Sequence, residues 1–100
     1  MQTRDLNIVS LAYKARKIKL SADIVCEFLQ KQQIKLVILA CDASENTKKK
    51  IKDKTSFYSV DLLETLTSEQ ITKTIGKNCK VLGVTDEGFK KLILEKLSIK

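Results

Sequence analysis

Residues 35–50 read Lys-Leu-Val-Ile-Leu-Ala-Cys-Asp-Ala-Ser-Glu-Asn-Thr-Lys-Lys-Lys, and residues 81–89 read Val-Leu-Gly-Val-Thr-Asp-Glu-Gly-Phe. In each, a short apolar strand runs straight into an acidic, polar helix start. Leu36 to Ala40 is an unbroken apolar run, and Asp42 is placed to cap the helix that follows, with Glu45 three residues on. Val81 to Val84 is the second strand, and Asp86 caps a helix whose apolar positions are Phe89, Leu92, Ile93 and Leu97. A side-chain oxygen at the cap satisfies an orphan helical N–H, and a carboxylate there suits the helix dipole. Two such turns in one hundred residues define an α/β domain.

The rest of the chain extends that pattern outward. Arg4 to Arg16 carries Ile8, Leu11, Ala12 and Ala15 at helical spacing, which predicts an amphipathic first helix. Ile18 and Leu20 alternate with Lys17 and Lys19, a short strand with one wet face. Ser21 reads as the N-cap of a second helix with the stripe Ile24, Val25, Phe28 and Leu29. A third helix over about 43–55 has a thin apolar seam of Ala43, Thr47 and Ile51 among lysines. Tyr58, Val60 and Leu62 alternate as a third strand. Thr67 and Gln70 form a capping box ahead of a short helix with Ile71 and Ile75, which Gly76 ends. The order α-β-α-β-α-β-α-β-α makes a sheet sandwiched between helix layers. One hundred residues make one domain, 1–100, and neither a linker nor a repeat divides it.

Composition narrows the function. No apolar run nears the roughly twenty residues that span a bilayer, and the N-terminus lacks the apolar core of a signal peptide. The expectation is a cytoplasmic protein. Cys26, Cys41 and Cys79 are odd in number and widely spaced, which points to free packing thiols in a reducing compartment. Histidine is absent, so the commonest general base and zinc ligand are missing and Cys41 has no histidine to activate it. Neither an enzyme nor a metal site is expected. Nineteen basic residues against twelve acids give a net charge of +7, and only Tyr13, Phe28, Phe57, Tyr58 and Phe89 are aromatic. That balance suits phosphate contact more than base stacking. A lysine- and isoleucine-rich composition also arises without selection for binding, so the placement of the charge carries the argument.

The chain resembles the kink-turn-binding ribosomal protein superfamily, and most closely its small bacterial branch. The matching words are Leu11-Ala-Tyr-Lys-Ala-Arg-Lys17, the run from Lys35 to Lys50, Ile75-Gly-Lys77 and the run from Val81 to Phe89. The match covers nearly the whole chain in one register. The resemblance implies a three-layer α/β/α sandwich around a mixed four-stranded sheet, with no cofactor and no catalysis. It implies a monomer whose partner is structured RNA, a kink-turn or ribosomal RNA, read at a bent internal loop.

In that family the start of the second helix enters the RNA groove with a Gly-Thr-Asn-Glu-x-x-Lys pattern. An acidic residue after the central strand supports it, and the loop before the last strand covers an extruded nucleotide. The register lays the first piece on Ser21, Ala22, Asp23, Ile24 and Glu27, with Ser21 for the glycine, Asp23 for the asparagine, Ile24 for the glutamate and Glu27 for the lysine. A carboxylate only accepts hydrogen bonds, where an amide also donates. Glu27 reverses a phosphate-facing charge, which at an effective dielectric near 20 costs on the order of a few kcal/mol at contact. Asp42 matches the acidic position, and Ile75, Gly76, Lys77 and Lys80 match the loop. Arg16, Lys17, Lys19 and Lys31 are expected beside Lys77 and Lys80 in one patch around one end of the sheet. The lysines at 48–54 are read as a solvated face, on a helix that packs elsewhere. Two functions follow: an RNA-binding protein, or a relative that has lost kink-turn recognition and serves as a protein-interaction module.

Overall fold

The computed structural model describes residues 7–97, with the side chains of 7–96. The start of the first helix at Arg4 and the side chain of Leu97 lie outside the described residues. The elements are α1 (Asn7–Lys14), β1 (Ile18–Leu20), α2 (Ala22–Gln30), β2 (Leu36–Leu39), α3 (Glu45–Phe57), β3 (Asp61–Leu63), α4 (Ser68–Ile75), β4 (Val81–Val84) and α5 (Glu87–Leu97). The alternation read from the sequence is the alternation observed.

The sheet order is β1-β4-β2-β3. β2 and β3 run parallel, joined by the α3 crossover, while β4 is antiparallel to both β1 and β2. α2 packs beside α3, and α1 packs against α4 and α5, giving a helix layer on either side of the mixed sheet. Covering both faces explains the unbroken apolar run of β2: Leu36, Val37, Ile38, Leu39 and Ala40 are all fully buried. At the edge, β1 keeps the predicted wet face, with Ile18 buried and Lys19 only half-buried. Gly83 lies in β4 under α2, where an added Cβ would meet Ile34 Cδ1 at 2.8 Å and Val25 Cγ2 at 3.1 Å. Its missing side chain lets α2 sit this close to the sheet.

Three expectations are corrected. Asp42 does not cap the third helix. Ser44 does, accepting from the Thr47 N–H at 3.2 Å, and the helix starts at Glu45 and runs to Phe57. Ala43 precedes it but is buried, and Ile51 and Thr55 form the inner seam. Tyr58 and Val60 are not strand residues. Tyr58 closes α3, Ser59 turns the chain with φ 56°, and β3 begins only at Asp61. Leu11, Ile24 and Leu92, expected on the inner stripes of α1, α2 and α5, are 53%, 42% and 43% exposed, while Ala12, Val25 and Ile93 on the same helices are fully buried. The cap at Asp86 and the capping box at Thr67 survive: Asp86 accepts from the Phe89 N–H at 3.0 Å, and Thr67 and Gln70 cap α4 reciprocally.

Candidate nucleic-acid interface

Because β1, β2 and β3 all point the same way, the helices that follow them, α2, α3 and α4, begin at one end of the sheet. Free N–H groups and positive dipole ends therefore gather there, beside the loop that leads into β4. A shallow cleft of about 300 Å³ opens between Ser21, Ala22, Thr47, Asn78 and Lys80. This end brings together the start of the second helix and the loop before the last strand, as expected.

Ser21 has φ 78° and ψ 148°, a region that is nearly glycine's alone. Its hydroxyl accepts a long bond of 3.4 Å from the Ile24 N–H. A side chain is thus held in a turn that glycine would adopt at less cost. Asp23 and Ile24 are both exposed on the first turn of α2, and Glu27 lies one turn further on. Asp23 does not face solvent unaccompanied: Lys50 of α3 donates to its Oδ1 at 3.1 Å. That hydrogen bond, and then the charge of Asp23, raise the Lys50 pKa. Glu27 pairs with Lys31 at 3.6 Å.

Asp42 supports the site from the next strand end. It accepts from the Ser68 backbone N–H at 2.8 Å and from the Ser68 hydroxyl at 2.9 Å, tying the end of β2 to the start of α4. Those two bonds hold its carboxyl below the ordinary carboxylate value, and the nearby Lys80 charge pushes weakly in the same direction. Its acidic character therefore has a structural partner 26 residues away, not the adjacent helix. Gly76 ends α4 in the left-handed conformation, φ 80°, and Lys77 and Lys80 are exposed on the loop beyond it. Ile75 is buried and props that loop from below.

The single cationic patch expected from the sequence divides in two. Lys17 is level with Thr85, whose N–H donates to its carbonyl at 2.8 Å, whereas Lys80 is level with Ala40 at the far end of β4. Antiparallel pairing of β1 with β4 thus sets Lys17 about 17 Å along the strands from Lys80, with Arg16 beyond it. Lys19 lies mid-strand, its ammonium 4.8 Å from the Phe28 ring centroid, and Lys31 reaches the same ring at 5.3 Å from the closing end of α2. In exchange, the site gains residues assigned elsewhere or not singled out: Lys50 and Thr47 from α3, Asn78 from the loop, and Ser68. The lysine-rich helix does not pack elsewhere. It lies beside α2, and Lys50 reaches Asp23 at the start of that helix. The signal that finds Lys50 is the β2-α3-β3 crossover, which starts α3 next to the start of α2. Cys26 and Cys79 are buried as expected, the Cys79 thiol donating to the Val81 carbonyl, but Cys41 is exposed at the end of β2.

A mixed four-stranded sheet between two helix layers is shared by solved structures. A protein of unknown function from Bacillus halodurans C superposes with a TM-score of 0.91 at 30% identity, covering 98% of this chain and 100% of that one. The Giardia lamblia 15.5kD RNA binding protein shares the fold at a TM-score of 0.75 and 15% identity, covering 92% of this chain and 80% of that one. The chain belongs to the Ribosomal protein L7Ae/L30e/S12e/Gadd45 family, whose sequence pattern it matches over residues 6–94. Among its relatives, the RNA-binding protein YlxQ of Enterococcus faecium is 42% identical over 86 residues, spanning 86% of this chain and 84% of that protein. The RNA-binding protein YlxQ of Bacillus subtilis (strain 168) is 37% identical over 83 residues, spanning 82% and 83%.

Proposed function

We propose that this chain is an RNA-binding protein that seats a bent internal loop of structured RNA against the helix-start end of its sheet. The observation that carries this reading is the convergence of the α2 N-terminus with Thr47, Lys50, Asn78 and Lys80, in a family whose relatives include RNA-binding proteins. The α2 N–H groups meet a phosphate or base edge. Lys77 and Lys80 hold the backbone across the loop, and Asp42 fixes the α4 start behind them. It acts as one domain over 1–100, as a cytoplasmic monomer, and without catalysis.

Asp23, Ile24 and Glu27 make this a weakened kink-turn site. Lys50 pairs with Asp23 through Oδ1, so repulsion of phosphate is relieved, while Oδ2 can still accept from a base amino group but cannot donate as an amide does. Ile24 offers no hydrogen bond. The test is Asp23→Asn, Ile24→Glu and Glu27→Lys combined, titrated with a kink-turn RNA and an unkinked duplex at fixed salt. Restored base contacts worth about 1–3 kcal/mol each should tighten kink-turn binding at least about tenfold over the duplex. With Lys50 held by Asp23, two phosphate contacts from Lys77 and Lys80 in the parent give a slope of log affinity against log salt of about −2. Equal binding of both RNAs by parent and triple variant alike would overturn the assignment.

A further inference from the structure

The opposite end of the sheet carries cations and an aromatic ring that the helix-start site does not use. Two clefts of about 470 Å³ each open there and share Gln32 and Lys35 as a common wall. One holds Arg16, Lys17, Lys19 and Phe28, the other Phe57, Tyr58 and Lys90. Among the described residues, the ion pairs take up Lys31 and Lys90 but none of Arg16, Lys17, Lys19 or Lys35. The Lys19 and Lys31 ammoniums both lie over the Phe28 ring, which attracts them. Phe57 is different: the ring is 78% exposed and meets Tyr58 edge-on, centroids 4.9 Å apart at 86°, so it is braced without being stacked.

Helix dipoles explain part of this charge. α1, α2 and α3 finish at this end, and a cation near a helix C-terminus is favourable. That accounts for Arg16 and Lys31. It does not account for Lys19 in mid-strand, for Lys35 leading into β2, or for an exposed phenylalanine beside them. Three residues of this groove, Arg16, Gln32 and Ser59, also hold left-handed backbone, φ 62°, 57° and 56°, where glycine would cost less.

We propose that this groove is a second RNA-binding surface, one that takes an unpaired stretch: phosphates along Arg16, Lys17, Lys19 and Lys35, and a base stacked on Phe57. Exposed aromatics interleaved with unpaired cations are the chemistry of single-strand binding, where each stacked base contributes substantially without regard to sequence. The surface is separate from the helix-start site and is tested independently of it. An RNA with a bent duplex element and a single-stranded flank would engage both ends.

The experiment titrates the full chain with fluorescent twelve-nucleotide oligo(U) at low salt, and separately with a kink-turn duplex lacking single-stranded ends. Phe57→Ala, and Lys19→Glu with Lys35→Glu, should each weaken oligo(U) binding at least about tenfold. Lys77→Glu with Lys80→Glu should weaken only the kink-turn duplex. Phe57→Trp supplies a single tryptophan in a chain that has none, and its emission should be quenched by oligo(U). Unchanged oligo(U) affinity in folded Phe57→Ala, or unquenched emission from Phe57→Trp at saturation, would overturn the proposal. So would polyglutamate binding as tightly as oligo(U), which would mark a general polyanion surface. Failure of kink-turn binding alone would leave these readouts intact.

Discussion

At one end of the sheet α2, α3 and α4 begin, and at the other α1, α2 and α3 finish. The starts are closed by side chains: Ser21, Ser44 and Thr67 each accept from an N–H three residues on, and Asp42 takes the Ser68 N–H. The finishes are closed by backbone alone. Lys17, Gln33 and Val60 each donate to the carbonyl five residues back, at 2.9, 3.0 and 2.9 Å, around a left-handed Arg16, Gln32 and Ser59. One end therefore offers N–H groups with small polar side chains in front of them. The other offers long cationic side chains over helix ends that are already satisfied. Positive potential reaches both ends by different physics, and the two should answer differently to substitution.

A change that strikes the strand joining the two ends should abolish the contrast. Leu82 is fully buried in β4, between the β1 and β2 pairings. Leu82→Ala leaves a cavity under both ends and should cost about 2–5 kcal/mol of stability. Urea unfolding would show it, and both RNA readouts should fall together. Loss of one with the other retained would mean that the ends do not share a core.

Backbone strain separates the ends more finely. Ser21→Gly gives up only a 3.4 Å cap bond and releases a side chain from a glycine-only conformation, so it should stabilise the protein by about 1–3 kcal/mol. Gln32→Gly, in ordinary left-handed space, should gain less, about 0.5–1 kcal/mol. Thermal melts of the two variants rank them. A destabilised Ser21→Gly would show that the hydroxyl's bond outweighs the strain.

The same asymmetry explains what the sequence disclosed. Helix starts are written in polar side chains, so Ser21, Thr67 with Gln70, and Asp86 were legible one by one, and the apolar run at Leu36–Ala40 identified the doubly covered strand. Helix finishes without glycine leave no such mark. Ser59 ends α3 silently, and the alternation of Tyr58, Val60 and Leu62 then passes for a strand. Gly76, the one left-handed glycine among the described residues, was read correctly. Partners far apart in the chain were equally hidden: Asp42 looks like the cap of the helix next to it, and nothing local joins Lys50 to Asp23 across 27 residues. The division of the cations into two groups follows from the direction of β4, which composition and periodicity do not carry. The family resemblance supplied the helix-start site, and the groove around Phe57 had no motif to announce it.

The smallest expected effect concerns pH and falls on the helix-start end alone. Asp42 is held below the ordinary carboxylate value of 3.8 by the Ser68 N–H and hydroxyl. A carboxyl whose folded pKa is depressed contributes stability that is fully present above its unfolded value and is lost as pH falls through the folded one. Its share should therefore be intact at neutral pH and should drain away below about pH 4. Asp42→Asn keeps the shape and removes the ionisation. Its melting temperature should lie slightly below the parent's above about pH 5, and the gap should close toward pH 2 as the parent protonates. The effect is small because the carboxylate is at the surface, where water competes for it. The groove lies at the other end of the sheet and Asp42 lines neither of its clefts, so oligo(U) binding should show no step attributable to Asp42. A melting-temperature gap that stays constant down to pH 2 would mean that the Ser68 bonds do not favour the ionised form, and the tie between β2 and α4 would have to be read as shape alone.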